Sequence, residues 1–298
     1  MLRAHMPELV PVWERLVELA GGGDLAARFL AMYDTPPLAP ACSQAVYDRG
    51  AEPALVRNYD FHPDRFEGVI AGTALAGRRV VGTSDCMWGL LDGLNEGGLA
   101  ASITFGGERS SERGFAIPIV VRYLLETCDS VADAVRALAG IPIQTPYNLT
   151  LLDRGGDRRT LYLRPGGSRQ SRFMAATNHQ DRIRWPQYAE ATCTVERRRR
   201  LLDLLADHGV DEDGFISSFL RPPIRSVDYR RGFGTLYTAV IRPRAGTVEY
   251  LWPGVSWRHS VAALDEGSRT LMLSSSADAT PLVEADRPAA RAAGAGSG

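Results

Sequence analysis

The sequence has no apolar run of the roughly 18 residues that a membrane-spanning helix requires. It also has no uninterrupted apolar stretch near its start, because Glu8, Glu14 and Arg15 break the apolar pattern of residues 1–21. That pattern does not fit a secretory signal peptide. We therefore predict a cytoplasmic protein that does not act at a membrane.

Neither sign of charge is in excess, and cysteine is scarce. The formal net charge is −1 with both signs interspersed, so nothing calls for a nucleic acid partner. The four cysteines lie far apart, with no C-x-x-C pair and no histidine at zinc-finger spacing. We predict neither a structural metal site nor a disulfide scaffold. At most one cysteine needs a chemical explanation.

The first 41 residues differ from the rest of the chain in their pattern of apolar residues and prolines. Apolar residues repeat at helical spacing over residues 9–20, Gly21-Gly22-Gly23 ends that helix, and Asp24 is a candidate N-cap for a second helix. The proline-rich stretch at residues 36–40 cannot continue a helix. We predict that residues 1–41 form a separate helical segment with an extended linker, directly in front of Cys42.

After Cys42, short strands alternate with turn sequences and pairs of helices, which predicts an α+β protein. Two stacked antiparallel sheets between helical layers would use this order well. The Ala-, Gly- and Arg-rich end at residues 284–298 predicts a disordered tail, which leaves residues 42–283 as the catalytic domain. The predicted strands are 43–47, 54–59, 69–74, 79–83, 90–94, 99–105, 147–153, 160–163, 173–177, 235–241 and 248–252, and the predicted helices are 118–126, 131–138, 186–207 and 211–220.

Cys42 stands where an exposed linker meets a predicted strand. If the Ala41–Cys42 bond is cut, Cys42 carries both a thiol and a free α-amine. Their ordinary pKa values are about 8.5 and about 7.7–8.0, so one residue supplies a nucleophile and a base near neutral pH. The alternative is an inert cysteine at the head of a buried strand, which is the commoner role of an arbitrary cysteine.

Arg57 and Asp60 lie in or just after the next predicted strand. A hairpin through Asp48-Arg49-Gly50 would bring them back beside Cys42. A guanidinium there favours a thiolate, and a carboxylate there can orient the new amine. The alternative is an ordinary ion pair at a strand end.

Four short motifs in this order resemble one family, the acyl-coenzyme A:6-aminopenicillanic acid acyltransferase-like proteins (peptidase C45), which are related to choloylglycine hydrolase and penicillin V acylase. The resemblance covers residues 42 to about 255. The motifs are Cys42-Ser43-Gln44, Arg57-Asn58-Tyr59-Asp60-Phe61, Asp92-Gly93-Leu94-Asn95-Glu96-Gly97-Gly98-Leu99 and Ala176-Thr177-Asn178-His179.

This resemblance implies an αββα N-terminal-nucleophile fold and the cleavage or transfer of a linear amide. It implies that Cys42 is the nucleophile with Arg57 and Asp60 as supports. Asn178 is the implied oxyanion-hole side chain. A second oxyanion donor is expected from backbone N–H groups near Phe105 and Gly106.

The substrate is less directly indicated. Bile-salt hydrolases carry a polar residue where Phe105 stands and a late arginine for which Arg230 and Arg231 are weak candidates, so a bile salt is disfavoured. Tyr59, Trp88 and His179 are weak candidates for substrate binding. We expect a small-molecule amide or acyl donor and an amine acceptor, and no resident cofactor. Acyl-coenzyme A is a candidate acyl donor, and a homo-oligomer is a candidate assembly.

Two other functions remain open. One is an uncleaved cysteine hydrolase in which His179 acts on Cys42. The other is a non-catalytic scaffold of the same fold. The basic run Glu196-Arg197-Arg198-Arg199-Arg200 fits a solvated helix face, with docking of an acidic partner or a coenzyme phosphate as the weaker interpretation.

Overall fold

The computed structural model describes residues 1–274 and, as backbone, the strand Leu282–Arg287. Most strands belong to two antiparallel sheets. In spatial order, the first sheet contains β10 (Ala175–Ala176), β1 (Ala41–Tyr47), β2 (Ala54–Phe61), β11 (Gly234–Arg242), β12 (Thr247–Trp252) and β13 (Val255–Ser260). The second sheet contains β3 (Val69–Thr73), β4 (Val80–Asp85), β5 (Gly89–Asn95), β6 (Leu99–Phe105), β7 (Tyr147–Asp153), β8 (Arg158–Arg164) and β9 (Gly167–Gln170).

The helices cover the outer faces of the two sheets. Helices α4 (Ile117–Thr127) and α5 (Val131–Leu138) pack on the second sheet, whereas α7 (Thr194–Ala206) and α8 (Glu212–Ser218) cover the first. Strand β1 faces β6 across the interior. Every residue of β1 and β2 is buried because the first sheet is covered on both faces. This is the predicted αββα sandwich. Within the part of the chain that is described, no helix is both long and apolar enough to cross a bilayer.

The predicted hairpin of β1 and β2 is confirmed. In its register, Ala41 lies opposite Asp60, Cys42 opposite Tyr59 and Gln44 opposite Arg57. Side chains of paired residues share one face of a sheet. The hairpin therefore fixes the positions of Arg57 and Asp60 relative to Cys42.

Local signals account for several of the other elements. Ser130 caps α5, since its hydroxyl accepts from the N–H of Asp133. The turn between β5 and β6 places Gly98 at φ +87°, a left-handed conformation that favours glycine. Both the cap and the turn are set by residues within a few positions of each other.

Some predictions about helices were wrong. Asp24 is not an N-cap: α3 (Gly23–Leu30) begins one residue earlier and has no side-chain cap. The predicted single helix over residues 186–207 is two helices, α6 (Pro186–Ala191) and α7, because Cys193 takes a left-handed conformation at φ +47°. This break turns the chain between two helices that both lie near Cys42.

The C-terminal part contains more strands than predicted. Strand β13 extends the first sheet, and β14 (Ser268–Met272) pairs with β15 (Leu282–Arg287). The tail predicted from residue 284 therefore begins inside a strand, and its remainder at 288–298 lies outside the described residues.

The N-terminal segment is helical, as predicted, but it is not separate from the rest of the fold. It contains α1 (Leu2–His5), α2 (Val10–Leu19) and α3. Leu2, Met6 and Leu9 are buried in the main hydrophobic core. Residues 35–40 have no regular structure and lead into β1.

Candidate active site

Cys42 is buried at the start of β1, with separate partners for its nitrogen and its sulfur. Its backbone N–H donates to Oδ1 of Asn178 over 2.8 Å. Its Sγ accepts from Nη2 of Arg57 at 3.6 Å. The peptide bond to Ala41 is intact, so the nitrogen is an amide here and stands in for the α-amine that a cut would create.

Arg57 is held from the side away from the thiol. Its Nη1 donates to the carboxylate of Asp92, to which it is ion-paired, and to the hydroxyl of Tyr237 at 2.7 Å. The Tyr237 hydroxyl in turn donates to the same Asp92 oxygen at 2.6 Å. All three side chains are fully buried or nearly so. The position of the guanidinium beside the thiol is therefore fixed by a closed triangle.

Asp60 is bound by a second buried arginine. Arg197, from α7, donates from Nη1 to Asp60 Oδ2 at 2.6 Å and to the hydroxyl of Ser43 at 2.9 Å. Its Nη2 donates to Asn178 Oδ1 at 2.8 Å. Thr235 donates to the other oxygen of Asp60. The predicted role of Asp60 as a direct partner of the Cys42 nitrogen is not seen, because Asn178 takes that place.

The orientation of the Asn178 amide is set by its neighbours. Both Cys42 N–H and Arg197 Nη2 donate to one side-chain atom, so that atom must be the oxygen. The NH₂ group therefore points the other way, toward the carbonyl oxygens of Pro40 at 3.3 Å and Phe105 at 3.4 Å. Tyr188 also donates to the Pro40 oxygen, at 2.6 Å.

The backbone around Asn178 is tightly constrained. Its N–H donates to the hydroxyl of Thr194 at 2.7 Å. Gly107 has φ +72°, and a Cβ there would stand 2.2 Å from the carbonyl oxygen of Asn178. Only glycine lets this loop approach so closely.

Burial and the neighbouring positive charge shift the pKa of the Cys42 thiol in opposite directions. Burial raises the pKa of Cys42, and the positive charge of Arg57 opposes that rise. Burial also raises the pKa of Asp60, against the lowering effect of Arg197. In the uncut chain the thiol is therefore poorly ionised, even though a cation lies beside it.

Two cavities lie next to this cluster. A small one of about 20 Å³ is bounded by Cys42, Leu38, Pro40, Tyr59 and Tyr147, among others, and its volume is that of about one water molecule. An open cleft of about 460 Å³ reaches Ala41, Asp60 and Arg197 from outside. The linker thus occupies the space next to the thiol, and the cleft gives access to the Ala41–Cys42 bond.

The weak substrate-binding candidates fall in different places. Tyr59 lines the small cavity, and its hydroxyl donates to Asp85 at 3.1 Å. Trp88 is buried in the main core, its indole N–H donates to the carbonyl oxygen of Leu30, and it lines neither of the two cavities. His179 is buried, and its Nδ1 lies 2.9 Å from the hydroxyl of Thr194. Burial lowers the pKa of His179 to about 3.

The predicted backbone donors need one correction. The N–H of Gly106 donates to Pro146 at 2.8 Å, so it is engaged in the fold and does not point at a reacting oxygen. Phe105 does border the cluster, but the contact observed is its carbonyl oxygen accepting from Asn178. Arg230 and Arg231 are exposed; Arg231 lines the outer part of the open cleft and is ion-paired with Asp228.

Sequence reasoning missed Arg197, which it placed on a solvated basic face. A signal was available: Thr194, Arg197, Leu201 and Leu204 recur at helical spacing, and all four are buried. Asp92 was also missed as a site residue, although it begins one of the four motifs that carry the family resemblance. Tyr188 had no distinctive signal.

Comparison with solved structures defines the fold class. Penicillin V acylase from Agrobacterium tumefaciens superposes with a TM-score of 0.55 at 18% identity, over 75% of this chain and 87% of that one. A mutant of conjugated bile acid hydrolase from Clostridium perfringens gives 0.53 at 12% identity, over 74% and 92%. The fold is that of the N-terminal-nucleophile hydrolases.

A match to a family model places the chain in a smaller group within this fold class. The family model for acyl-coenzyme A:6-aminopenicillanic acid acyl-transferase matches residues 48–257, more than half of the chain, and the protein belongs to that family. Cys42 itself precedes the matched range. A search among curated proteins found no match. Family and fold together indicate a hydrolase or acyltransferase that acts on small-molecule amides.

Proposed function

We propose that the protein is an autoprocessed cysteine N-terminal-nucleophile enzyme that acts on a linear amide or thioester through an acyl-enzyme at Cys42. The observation that carries this is the separation of partners at one residue: the Cys42 nitrogen faces Asn178 Oδ1 at 2.8 Å, and its sulfur faces Arg57 at 3.6 Å. A base and a nucleophile on the same residue make an external histidine unnecessary.

Maturation begins with attack of the Cys42 sulfur on the carbonyl carbon of Ala41. A C–S bond forms, the peptide C–N bond breaks, and the departing nitrogen takes up a proton to become the α-amine. Water then hydrolyses the thioester, which frees the thiol and leaves a carboxylate on Ala41. The cleft that reaches Ala41 supplies the route for that water.

In turnover, the α-amine takes the thiol proton as the sulfur attacks the substrate carbonyl. Arg57 stabilises the thiolate. The resulting oxyanion is bound by the NH₂ of Asn178, whose orientation is fixed by Arg197. The amine product leaves with the proton, and the acyl group stays on Cys42. Water or an acceptor amine then removes the acyl group.

The N-terminal segment remains bound after the cut in this proposal. Leu2, Met6 and Leu9 are fully or almost fully buried in the main core, and exposing them would cost on the order of 1.5–3 kcal/mol each. Loss of the covalent link frees mainly the linker next to Cys42. The active form is therefore a complex of two chains, with the linker end displaced from the site.

Two alternatives receive less support. In an uncleaved Cys–His enzyme, His179 would contact Cys42, but its Nδ1 faces Thr194 and no hydrogen bond joins it to Cys42 among the described residues. In a non-catalytic scaffold, two buried arginines and two buried aspartates around a thiol would serve stability alone. Replacing such groups by apolar residues is often neutral or stabilising, so their presence favours catalysis.

Acyl-coenzyme A remains a candidate acyl donor, and transfer remains a candidate reaction beside hydrolysis. Incubating the processed enzyme with an acyl-coenzyme A, with and without an amine acceptor, separates the two. Release of free acid without the acceptor indicates hydrolysis, and formation of a new amide in its presence indicates transfer.

The decisive experiment is the intact mass of denatured wild type, of the Cys42→Ala variant and of a matched Cys86→Ala control. Cys86 is a suitable control because it lines the same small cavity, while burial and Asp85 raise its pKa to about 12. We expect wild type and Cys86→Ala to separate into residues 1–41 and 42–298, and Cys42→Ala to stay whole. A full-length, inactive wild type would overturn the proposal.

An unusual feature of the composition allows a second test. All 34 basic residues are arginine, so the chain contains no lysine and its only primary amine before cleavage is the N-terminus. Amine-selective acylation of the processed protein is expected to add one label to each chain, and labelling at Cys42 to abolish activity. A single label, or full activity with Cys42 labelled, would contradict the role of the α-amine.

A further inference from the structure

The Pro40 carbonyl oxygen sits between two side-chain donors. Tyr188 donates its hydroxyl at 2.6 Å, and Asn178 donates its NH₂ at 3.3 Å. Pro40 lies two residues before the nucleophile, on the segment that leaves the site in the proposed maturation. Once it leaves, both donors lose this shared acceptor, while Asn178 keeps its bonds to Cys42 and to the Phe105 carbonyl oxygen.

We propose that Tyr188 is a catalytic residue whose hydroxyl, together with the Asn178 NH₂, binds the carbonyl oxygen of the substrate and the oxyanion formed from it. The Pro40 carbonyl occupies this two-donor site in the uncut chain. The inference rests on the proposed function, and it supplies the second oxyanion donor that Gly106 does not provide.

The ring of Tyr188 is held on several sides. Trp185 stacks on it at a centroid distance of 4.9 Å, and Phe105 meets it edge-on at 5.4 Å. Its fixed ring therefore presents the hydroxyl at one place, which is what preorganised stabilisation of an oxyanion requires. Burial raises the pKa of Tyr188 well above its ordinary value, so the phenol keeps the proton that it donates.

Tyr147 provides a matched comparison. It is also buried, and its hydroxyl also donates to a carbonyl of the linker, that of Leu38, at 3.3 Å. The NH₂ of Asn178 is directed instead at the oxygens of Pro40 and Phe105, so Tyr147 does not share a carbonyl site with it. Tyr147→Phe thus removes a buried hydroxyl of the same kind from the same linker.

The test uses processed full-length protein and compares wild type, Tyr188→Phe and Tyr147→Phe. Three quantities are measured: kcat and KM on the best amide of a substrate panel, and inhibition by an aldehyde with the same acyl chain. An aldehyde adds the Cys42 sulfur to its carbonyl carbon, and its oxygen becomes the tetrahedral oxygen that the two donors would bind. Aldehyde affinity is taken from the initial, rapidly reversible phase of inhibition, before the α-amine of Cys42 attacks the same carbon, expels that oxygen as water and closes a thiazolidine ring. The matching carboxylic acid measures binding without this step.

For Tyr188→Phe we expect kcat to fall by roughly 10²-fold, aldehyde affinity to fall by a similar factor, and KM and acid affinity to change little. Tyr147→Phe, which removes a hydroxyl from the wall of the small cavity beside the thiol but not from the two-donor site, is expected to lower kcat and aldehyde affinity far less than Tyr188→Phe does. A purely structural role would weaken acid and aldehyde binding together. Unchanged kcat and aldehyde affinity in Tyr188→Phe would overturn the inference, while an inactive wild type would instead overturn the proposed function.

If Tyr188→Phe is not processed, 3-fluorotyrosine placed at position 188 keeps the hydroxyl and makes it a more acidic donor. Tighter aldehyde binding relative to wild type would then support the inference, with acid binding unchanged. Aldehyde affinity equal to that of wild type would overturn it.

Discussion

Arg57 and Arg197 are both buried beside Cys42, and each is paired with a buried aspartate. Arg57 reaches the sulfur of Cys42 itself, with Asp92 and Tyr237 behind it. Arg197 is hydrogen-bonded to neither the sulfur nor the nitrogen of Cys42. It holds Asp60 and the oxygen of Asn178, which in turn faces the Cys42 nitrogen.

The two buried arginine–aspartate pairs therefore have different uses. On the Arg57 side the charge acts directly on the sulfur, so the effect of losing it is expected in thiol chemistry. On the Arg197 side the guanidinium fixes the position of the Asn178 amide. Loss of Arg197 is therefore expected to lower the folding stability first. Equivalent substitutions of Arg57 and Arg197 therefore test whether the two arginines have these different roles.

The largest effect is expected for Arg197→Met, measured by urea unfolding in a Cys42→Ala background that keeps the chain whole. The variant leaves the Asp60 carboxylate buried without its partner, so the free energy of unfolding should fall by about 3–5 kcal/mol at pH 7. The double variant Arg197→Met, Asp60→Asn should recover much of this loss. Equal losses in the single and double variants would contradict the pairing.

The same variant carries a pH signature. Burial already raises the pKa of Asp60, and removing Arg197 removes the largest influence that lowers it. A carboxyl with a raised pKa in the folded state favours folding when protonated and loses that contribution as pH rises. The destabilisation of Arg197→Met should therefore shrink as pH is lowered from 7 toward 5, as urea unfolding across that range would show.

A smaller effect is expected for Arg57→Gln on the alkylation of Cys42 by iodoacetamide. Loss of the neighbouring charge should slow alkylation of the processed enzyme roughly tenfold at pH 7.5, because one pKa unit corresponds to about 1.4 kcal/mol. The measurement belongs in a background with Cys86→Ala and Cys193→Ser. Arg197→Gln is the control, and a decrease of the same size there would erase the distinction between the two arginines.

The smallest effect on activity is expected for His179→Asn, which keeps a polar atom near Thr194. Activity should remain within about twofold of wild type, whereas a Cys–His enzyme would lose activity on the order of 10²-fold or more.

The pH dependence of folding stability provides an independent sign that His179→Asn has removed a titrating group. The pKa of His179 is lowered to about 3, so wild type loses stability as pH falls from about 6.5 toward 3. Over the same pH range the free energy of unfolding of His179→Asn should fall less than that of wild type, with a difference of up to about 1.4 kcal/mol per pH unit.

Local patterns in the sequence predicted much of the fold. The hairpin that brings Arg57 and Asp60 back to Cys42 arises from two short apolar strands around one turn, and the cap at Ser130 arises from its own side chain. Such features depend on residues a few positions apart. The same holds for the helical character of the N-terminal segment and for the linker without regular structure after it.

What the sequence did not reveal depends on contacts between distant residues. The partner of Arg197 lies in β2, and only the packing of α7 on the first sheet brings the two together. Of the neighbouring arginines, Arg199 and Arg200 are exposed and Arg198 is half-buried, so composition alone points to a solvated face. Helical periodicity singles out Arg197, because it shares a face with buried leucines.

Tyr188 and Gly106 illustrate the same limit at the scale of single atoms. The hydroxyl of Tyr188 reaches Pro40 only because the chain breaks at Cys193, between α6 and α7, and folds both helices near β1. The N–H of Gly106 is lost to Pro146, a residue forty positions away. Hydrogen-bond partners at this distance are set by the tertiary fold.

The left-handed turn at Cys193 has a consequence for how such an enzyme changes over time. It lets one short stretch, from Asn178 to Arg197, supply the amide, the phenol and the guanidinium that surround Cys42 and the linker before it. A large part of the surroundings of Cys42 is therefore encoded by one short run of neighbouring codons. Recombination within this stretch could retune the site while leaving both sheets unaltered, which makes it a natural target for segment exchange between relatives.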